Sequence, residues 1–292
     1  GEDTHAAVTR FLGVASSELY PDRMPETGFS QNAMQVRANW VASPSFLLVG
    51  SYIRTRQDEA NRWDQTLGGD GNLIAELNDL QLDLAYLRLE TSKAGWFDHA
   101  SATYSFNTQR EERVNQGGNG NPNGTIAHQP ERTTVNGVQV TLNRQLAPKY
   151  SLLVGGDTYF EKLASQSFDV NPVSGAQVAS RPRVPDQATY TEGGVFAQTN
   201  VDVRSNVSMT ASARFGFTSY KADSADAPTG ANGLPLWPSD SLSTQSLTYR
   251  VGGAWRAADS VTFVGSVASG YRAPNMTDLG TLGLTGSGFE VG

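Results

Sequence analysis

The chain has 292 residues, a formal charge of -7 and a pI near 5.0, which is long enough for one large domain. Its 22 Lys and Arg residues form no dense cluster, which argues against nucleic acid as a partner, and the lack of cysteine excludes a disulfide framework or a thiolate metal site. Hydrophobic content of 38% and a mean hydropathy of -0.39, with no run approaching roughly 18 to 20 apolar residues, exclude a helical membrane protein but not a barrel, whose strands show lipid only at every second residue.

The first stretch, GEDTHAAVTRFLG, lacks the basic start and apolar core of a secretory signal. Paired strands are predicted first at residues 30–40 and 45–56, joined around Ala42-Ser43-Pro44, and next at 81–91 and 96–109, joined through Ser92-Lys93-Ala94-Gly95. The strands at 45–56 and 81–91 carry apolar residues on both faces. A third pair is predicted at 134–144 and 150–162, around Ala147-Pro148-Lys149. There Tyr150, Leu152, Val154, Gly156 and Phe160 alternate with Ser151, Gly155, Asp157 and Glu161, a period of two. The fourth pair, 193–203 and 207–220, turns at Arg204-Ser205-Asn206, and Val207, Met209, Ala211, Ala213, Phe215 and Phe217 share one face. In the fifth, Tyr249, Val251, Gly253 and Trp255 lead into the turn Ala257-Ala258-Asp259-Ser260, and Val261, Phe263, Val267 and Tyr271 follow it on one face. The chain then runs into the Gly-rich LGTLGLTGSGFEVG, and both ends read as cuts within a longer protein.

Between the pairs lie four polar segments rich in Gly, Pro, Asn and Asp, at residues 57–80, 110–133, 164–192 and 221–244. Short turns at one end and loops of about 24 to 29 residues at the other suit an outer-membrane barrel, with its short periplasmic turns and long external loops. Compact soluble domains favour connections of about 4 to 6 residues. The strand lengths suit a tilted crossing, which takes roughly 9 to 11 residues. Trp40, Trp96 and Trp255, with Phe46, Phe97, Tyr150 and Phe263, sit near the short turns, and Tyr52, Tyr104, Phe106, Phe160, Tyr220 and Tyr271 toward the other ends. Two aromatic belts are what membrane interfaces select. The expected fold is therefore all-β: an antiparallel transmembrane up-and-down β-barrel, partial, with about ten strands of a larger barrel making up one domain over residues 1–292.

Several of these segments resemble one family. SVASGYRAPNMTDL, with its Tyr271-Arg272-Ala273-Pro274, resembles the late-barrel motif of TonB-dependent outer-membrane receptors, where a strand ends and opens an external loop. GGVFAQTNVDVRSNVSMTASARFGF resembles their paired strands, and TGFSQNAMQVRANWVASPSFLLVGSYIRTRQD is similar to an earlier hairpin of the same barrels. The resemblance implies a barrel of about 22 strands, a plug inside it, and a motif that engages TonB; the plug, that motif and the last strands are missing here. It further implies active transport across the Gram-negative outer membrane, without bond chemistry, of a scarce ligand such as a siderophore, haem, cobalamin or glycan. Implied partners are outer-membrane lipid and lipopolysaccharide, TonB through the missing plug region, and a small-molecule ligand; no cofactor is implied.

Ten strands also match the omptin proteases, complete barrels with Asp and His catalytic residues at the external rim. The histidines here are His5, His99 and His128, and Asp98 and His99 are strand neighbours that point to opposite faces, near the short-turn rim. No converging metal ligands appear; LGGDGNLIAELND lacks a calcium-loop pattern, and GGNGNPNG lacks the Lys-Ser/Thr of a phosphate loop. A soluble all-β binding or adhesion domain is the other alternative. Arg214, Arg250, Arg256 and Arg272 fall on the polar face, either to meet an anionic ligand or the plug, or to pair with carboxylates such as Asp157, Glu161 and Asp202. In the loops, Trp63, His128 and Trp237 are candidate ligand-binding residues, together with Arg272; His128 would be the ligand atom donor if the cargo were haem.

Overall fold

The computed structural model describes residues 28–62, 73–116 and 121–279, and the backbone alone at 280, 282–285 and 288–291. The strands are β1 (Ser30–Ser43), β2 (Phe46–Asp58), β3 (Ala60–Asn61), β4 (Ile74–Ala94), β5 (Phe97–Gln116), β6 (Ile126–Ala147), β7 (Tyr150–Ser165), β8 (Phe168–Val170), β9 (Gln177–Ala179), β10 (Thr189–Arg204), β11 (Val207–Ala222), β12 (Asp240–Ala258) and β13 (Val261–Ala268). A 3-10 turn covers Ser224–Asp226, helix α1 covers Met276–Gly280, and a separate hairpin joins β14 (Leu282–Thr285) to β15 (Gly288–Val291).

Five two-residue turns, Pro44-Ser45, Gly95-Trp96, Pro148-Lys149, Ser205-Asn206 and Asp259-Ser260, close the five predicted hairpins. Such turns leave the next strand no room except beside the last, so the pairing is a meander, β1-β2-β4-β5-β6-β7-β10-β11-β12-β13, antiparallel throughout. Among the described residues β1 and β13 pair on one side only, so this is an open wall of a barrel.

Register turns sequence alternation into two faces. Val154 pairs with Leu142 and Ala197, Ala197 with Ala213, and Ala213 with Tyr249, so all five share one side. By the same ladders that side carries Val36, Leu48, Leu87, Leu89, Ala102, Val140, Leu152, Val195, Phe215, Leu247 and Val251. Phe215 and Val251 are 44% and 46% exposed, on a single-layer sheet that no second sheet covers among the described residues. An apolar face this continuous has one stable solvent, the acyl chains of a bilayer. The opposite side of β10, β11 and β12 carries Gln198, Asn200, Ser208, Thr210, Ser212, Arg214, Thr244, Ser246 and Thr248. Asn136 is the polar exception on the apolar face, and the Tyr104 hydroxyl donates to its Oδ1 at 2.7 Å.

The aromatic belts need one correction. Tyr52, Tyr104, Phe106 and Phe160 do lie on the apolar face toward the long-loop rim. Tyr220 occupies an even position of β11, on the side of Arg214, and is buried there; Tyr271 has its hydroxyl on Thr244 Oγ1 at 3.0 Å, also on the polar side. Parity within a strand outweighs height along it.

The strands also run further than residue types suggest. β4, β5 and β6 have 21, 20 and 22 residues, about twice a membrane crossing. Much of the segments at 57–80 and 110–133 is therefore ladder, not loop. Above the bilayer both faces of a strand can be polar, since water solvates side chains while the partner strand satisfies the backbone. Of the apolar residues that β2 and β4 carry on their polar side, Ile53 pairs with Leu84, and Leu82, paired with Thr55, lines the cavity described next.

Candidate ligand site at the long-loop rim

The polar side of the wall is roofed at the long-loop end. Residues 164–192 form the small β8-β9 hairpin, then a segment at 180–188 that returns across the sheet. Asp186 pins it: Oδ1 accepts from the backbone N–H of Ser165 at 2.8 Å and of Gln187 at 2.9 Å, while Leu163 N–H donates to Ala188 O at 2.9 Å. Val184 and Ala188 of this strap, Leu163, Tyr190, Tyr220 and Ala222 of the sheet, and Met276 of α1 make one buried cluster, with Leu279 packed against it. Leu163, Tyr190 and Tyr220 all fall on the polar side, so the apolar strap residues have a matching floor.

Beneath the strap is a cavity of about 530 Å³. Thr55 and Gln57 of β2, Leu80 and Leu82 of β4, Gln109, Glu111 and Arg113 of β5, and Glu131 and Thr133 of β6 wall one side; Arg183, Val184 and Thr277 close the other. Arg113 Nη2 donates to Glu111 Oε1 at 2.7 Å. Burial and the neighbouring Glu111 raise the Glu131 carboxyl above its ordinary value, against the opposing charges of Arg113 and Arg183. The surface thus offers two guanidinium groups, two carboxyls and an apolar floor, a set chemically able to hold a polar organic ligand by charge and shape.

A second hollow of about 340 Å³ lies lower on the same side, lined by Asp157, Tyr159, Glu192, Arg214, Thr218, Thr244, Ser246, Thr248 and Tyr271. Arg214 holds Asp157 through two parallel bonds of 2.7 Å each. Gly194 makes room for that pair: a Cβ there would meet the Arg214 Cζ at 2.9 Å and the Phe215 carbonyl at 2.6 Å.

The predicted site residues scatter. Trp63 lies outside the described residues, as does His5. His128 sits in β6, not in a loop; it stacks on Phe168 at 5.0 Å, its Nδ1 lies 3.1 Å from Glu112 Oε1, and its parity puts it on the side of Arg132, away from the cavity. Trp237, expected to be exposed, is only 2% exposed, with Nε1 donating to Asp223 O at 3.0 Å; the loop folds around it as a local core. Arg272 stays exposed and donates to Asp278 Oδ2 at 2.7 Å, while Tyr271 and Ala273 of the same motif line the second hollow and Pro274 O accepts from the Tyr190 hydroxyl at 3.0 Å. Of the polar-face arginines, Arg214 takes Asp157. Asp98 and His99 diverge, Asp98 to Arg144 at 2.9 Å and His99 toward Glu90 at 4.0 Å, so they form no dyad. Among the described residues no cluster of His, Asp or Glu could hold a metal. Glu111, Arg113, Glu131 and Arg183 were missed by sequence reasoning; the charged run of EERVNQ marks Glu111 and Arg113, the repeated Arg of SRPRVPD marks Arg183, and no local signal marks Glu131.

Comparison with known proteins fits this architecture. Residues 21–291 match the family model described as TonB dependent receptor-like, beta-barrel. The fold is similar to the copper transporter OprC (TM-score 0.65, 12% identity, 82% of this chain and 36% of that one). It is also similar to the FrpB iron transporter from Neisseria meningitidis in its apoprotein form (TM-score 0.60, 12% identity, 87% and 38%). A third likeness is to a double mutant of the Serratia marcescens hemophore receptor HasR in complex with its hemophore HasA and heme (TM-score 0.60, 14% identity, 93% and 40%). The chain spans less than half the length of each of these structures. No curated protein matches it in sequence.

Proposed function

From the premise that this chain belongs to the TonB-dependent receptor-like β-barrel family, we propose that it forms part of the wall and external mouth of an outer-membrane receptor that imports a scarce ligand. The observation that carries the reading is the pairing of two features on one wall: a lipid-suited apolar face outward, and a roofed polar cavity inward at the long-loop end. Ligand captured under the strap contacts Arg113, Arg183, Glu111 and Glu131, with Arg272 and the Tyr271-Ala273 edge as further contacts nearer the loops; Trp63 stays a ligand-binding candidate on its residue type alone. His128 keeps a ligand role only for cargo that approaches the outer side of β6. Uptake then draws energy from the inner membrane through TonB and a plug. Transport by family members and neighbours supports this reading over an enzyme: copper, iron and haem systems are among the likenesses.

The test is whole-cell binding and uptake with a panel of labelled siderophores, haem, cobalamin and glycans, in cells making the full-length protein. One class should bind at 0 °C and accumulate only while the proton-motive force is intact. Arg183→Ala with Arg113→Ala should weaken that binding by roughly tenfold or more, as loss of charged hydrogen bonds does. Accumulation that persists after the proton-motive force is collapsed would overturn the mechanism.

A further inference from the structure

The cavity beneath the strap is balanced in charge, and that balance selects among ligands. Arg113 and Arg183 bring positive groups to its lining, and Glu111 and Glu131 bring negative ones. A further guanidinium at the edge, Arg110, is neutralised by Asp79 at 2.6 Å. A ligand of one sign meets as much repulsion as attraction there. A ligand that carries both signs can set each against its opposite.

The four groups are not equivalent. Arg113 and Glu111 hold each other along β5, Nη2 to Oε1 at 2.7 Å. Glu131 stands on β6 directly across the ladder from Glu111, a like-charge pairing that a sheet ordinarily avoids. Burial, with Glu111 beside it, keeps the Glu131 carboxyl above its ordinary value. An ammonium group seated between the two carboxyls relieves both effects. On the facing wall Arg183 presents the planar fork of donors that suits a carboxylate. The lining between these ends is neutral and polar: the Gln57 and Gln109 amides and the Thr55 and Thr133 hydroxyls both donate and accept, as peptide C=O and N–H groups require. Leu80, Leu82 and Val184 give an aliphatic side chain its surface. Among the described residues no aromatic ring lines the cavity, so a flat macrocycle or a catechol has nothing to stack on. The volume of about 530 Å³ admits a ligand of small-molecule size and no folded domain.

We propose that the cargo, or the part of it held under the strap, is a short peptide with free ends, its ammonium between Glu111 and Glu131 and its carboxylate on Arg183. The assignment rests on the receptor reading above for the route into the cell, and it names the class of ligand that the external mouth selects.

The test is calorimetric titration of the full-length protein, purified in mild detergent, with the tripeptide alanyl-leucyl-alanine, its N-acetyl form and its C-terminal amide. The free tripeptide should bind, and either block should weaken binding about tenfold or more. In Glu131→Gln the N-acetyl form should bind as well as the free tripeptide, and in Arg183→Gln the amide should do so, because each variant removes the partner of the blocked end. Arg110→Gln, whose charge Asp79 already takes, should bind the free tripeptide as the parent does. No binding of the free tripeptide, equal binding of the blocked forms by the parent, or a tenfold difference that persists in the variants would each overturn the site. The blocked peptides test the parent protein alone, so the result stands even where a variant fails to fold. Labelled tripeptide added to the whole-cell uptake panel separates the two readings. Uptake of another cargo that depends on the proton-motive force, with no binding of the tripeptide, sinks the peptide assignment and leaves the receptor. Tripeptide binding by the purified protein with the predicted end dependence, in cells that accumulate no cargo at all, sinks the receptor reading and upholds the cavity chemistry.

Discussion

At the scale of single residues, position on a strand decides what a substitution does. Val154 shares the outward side with Leu142 and Ala197, so Val154→Arg puts a charge into acyl chains and is expected to cost roughly 2 to 4 kcal/mol in a bilayer. Refolding into vesicles under urea titration measures it, and a neutral result would contradict the face. On the opposite side of the sheet, Gly194 faces Arg214. Gly194→Ala should dislodge the guanidinium from Asp157, and a structure of the variant with the two 2.7 Å bonds intact would refute the packing argument. Glu131 gives a pH signature. Its folded pKa is raised by burial, so its stabilising contribution is complete below the unfolded value of 4.5 and is lost as pH rises through the folded value. Glu131→Gln should therefore flatten the pH dependence of stability above about 4.5, read as the urea midpoint of the detergent-solubilised protein.

At the scale of elements, the external segments are built, not slack. The strap at 180–188 is held by Asp186 and buries Val184 and Ala188, whereas the turn between β8 and β9 is exposed, with Val173 76% exposed. Protease added to intact cells should cut between residues 171 and 178 and spare 180–188; cleavage in the strap would show that it does not dock. Helix α1 is too short to persist alone, and its start is closed reciprocally: Asp278 N–H donates to Asn275 Oδ1 at 2.8 Å, and Asn275 N–H to Asp278 Oδ2 at 3.0 Å. That backbone bond, together with Arg272, holds the Asp278 carboxyl below its ordinary value. The stabilisation is therefore present above the unfolded value of 3.8 and is lost as pH falls through the folded one. Because the chain has no cysteine, a label on Thr277→Cys can report it. Label mobility should rise as the solution is acidified below about pH 4, and Asp278→Asn should be mobile already at neutral pH.

At the scale of the molecule, the wall has two solvents and, among the described residues, two free edges. One side suits lipid, the other roofs a polar cavity, and β1 and β13 present unpaired backbone along their outer sides. In water such a sheet aggregates by edge pairing and by its apolar face. The chain made alone should sediment without detergent, and a monodisperse soluble species would argue against the lipid assignment.

Most of this architecture was legible in the amino-acid order. Period-two alternation from Tyr150 to Phe160 and from Val207 to Phe217 names strands and faces by itself, because successive side chains on a strand must point to opposite sides. The turn residues Pro44, Gly95, Pro148, Asn206 and Asp259 locate the short rim, since so few residues can reverse an extended chain in only one way. The site was not legible. Glu131 and Arg183 meet across 52 positions of chain, Trp237 is sealed by its own loop, and Glu131 stands across from Glu111 only through strand register. Local alternation is written into neighbouring residues, but whether a polar loop stands in water or folds back onto a tyrosine-lined floor depends on contacts between distant segments, and those exist only once the sheet has formed.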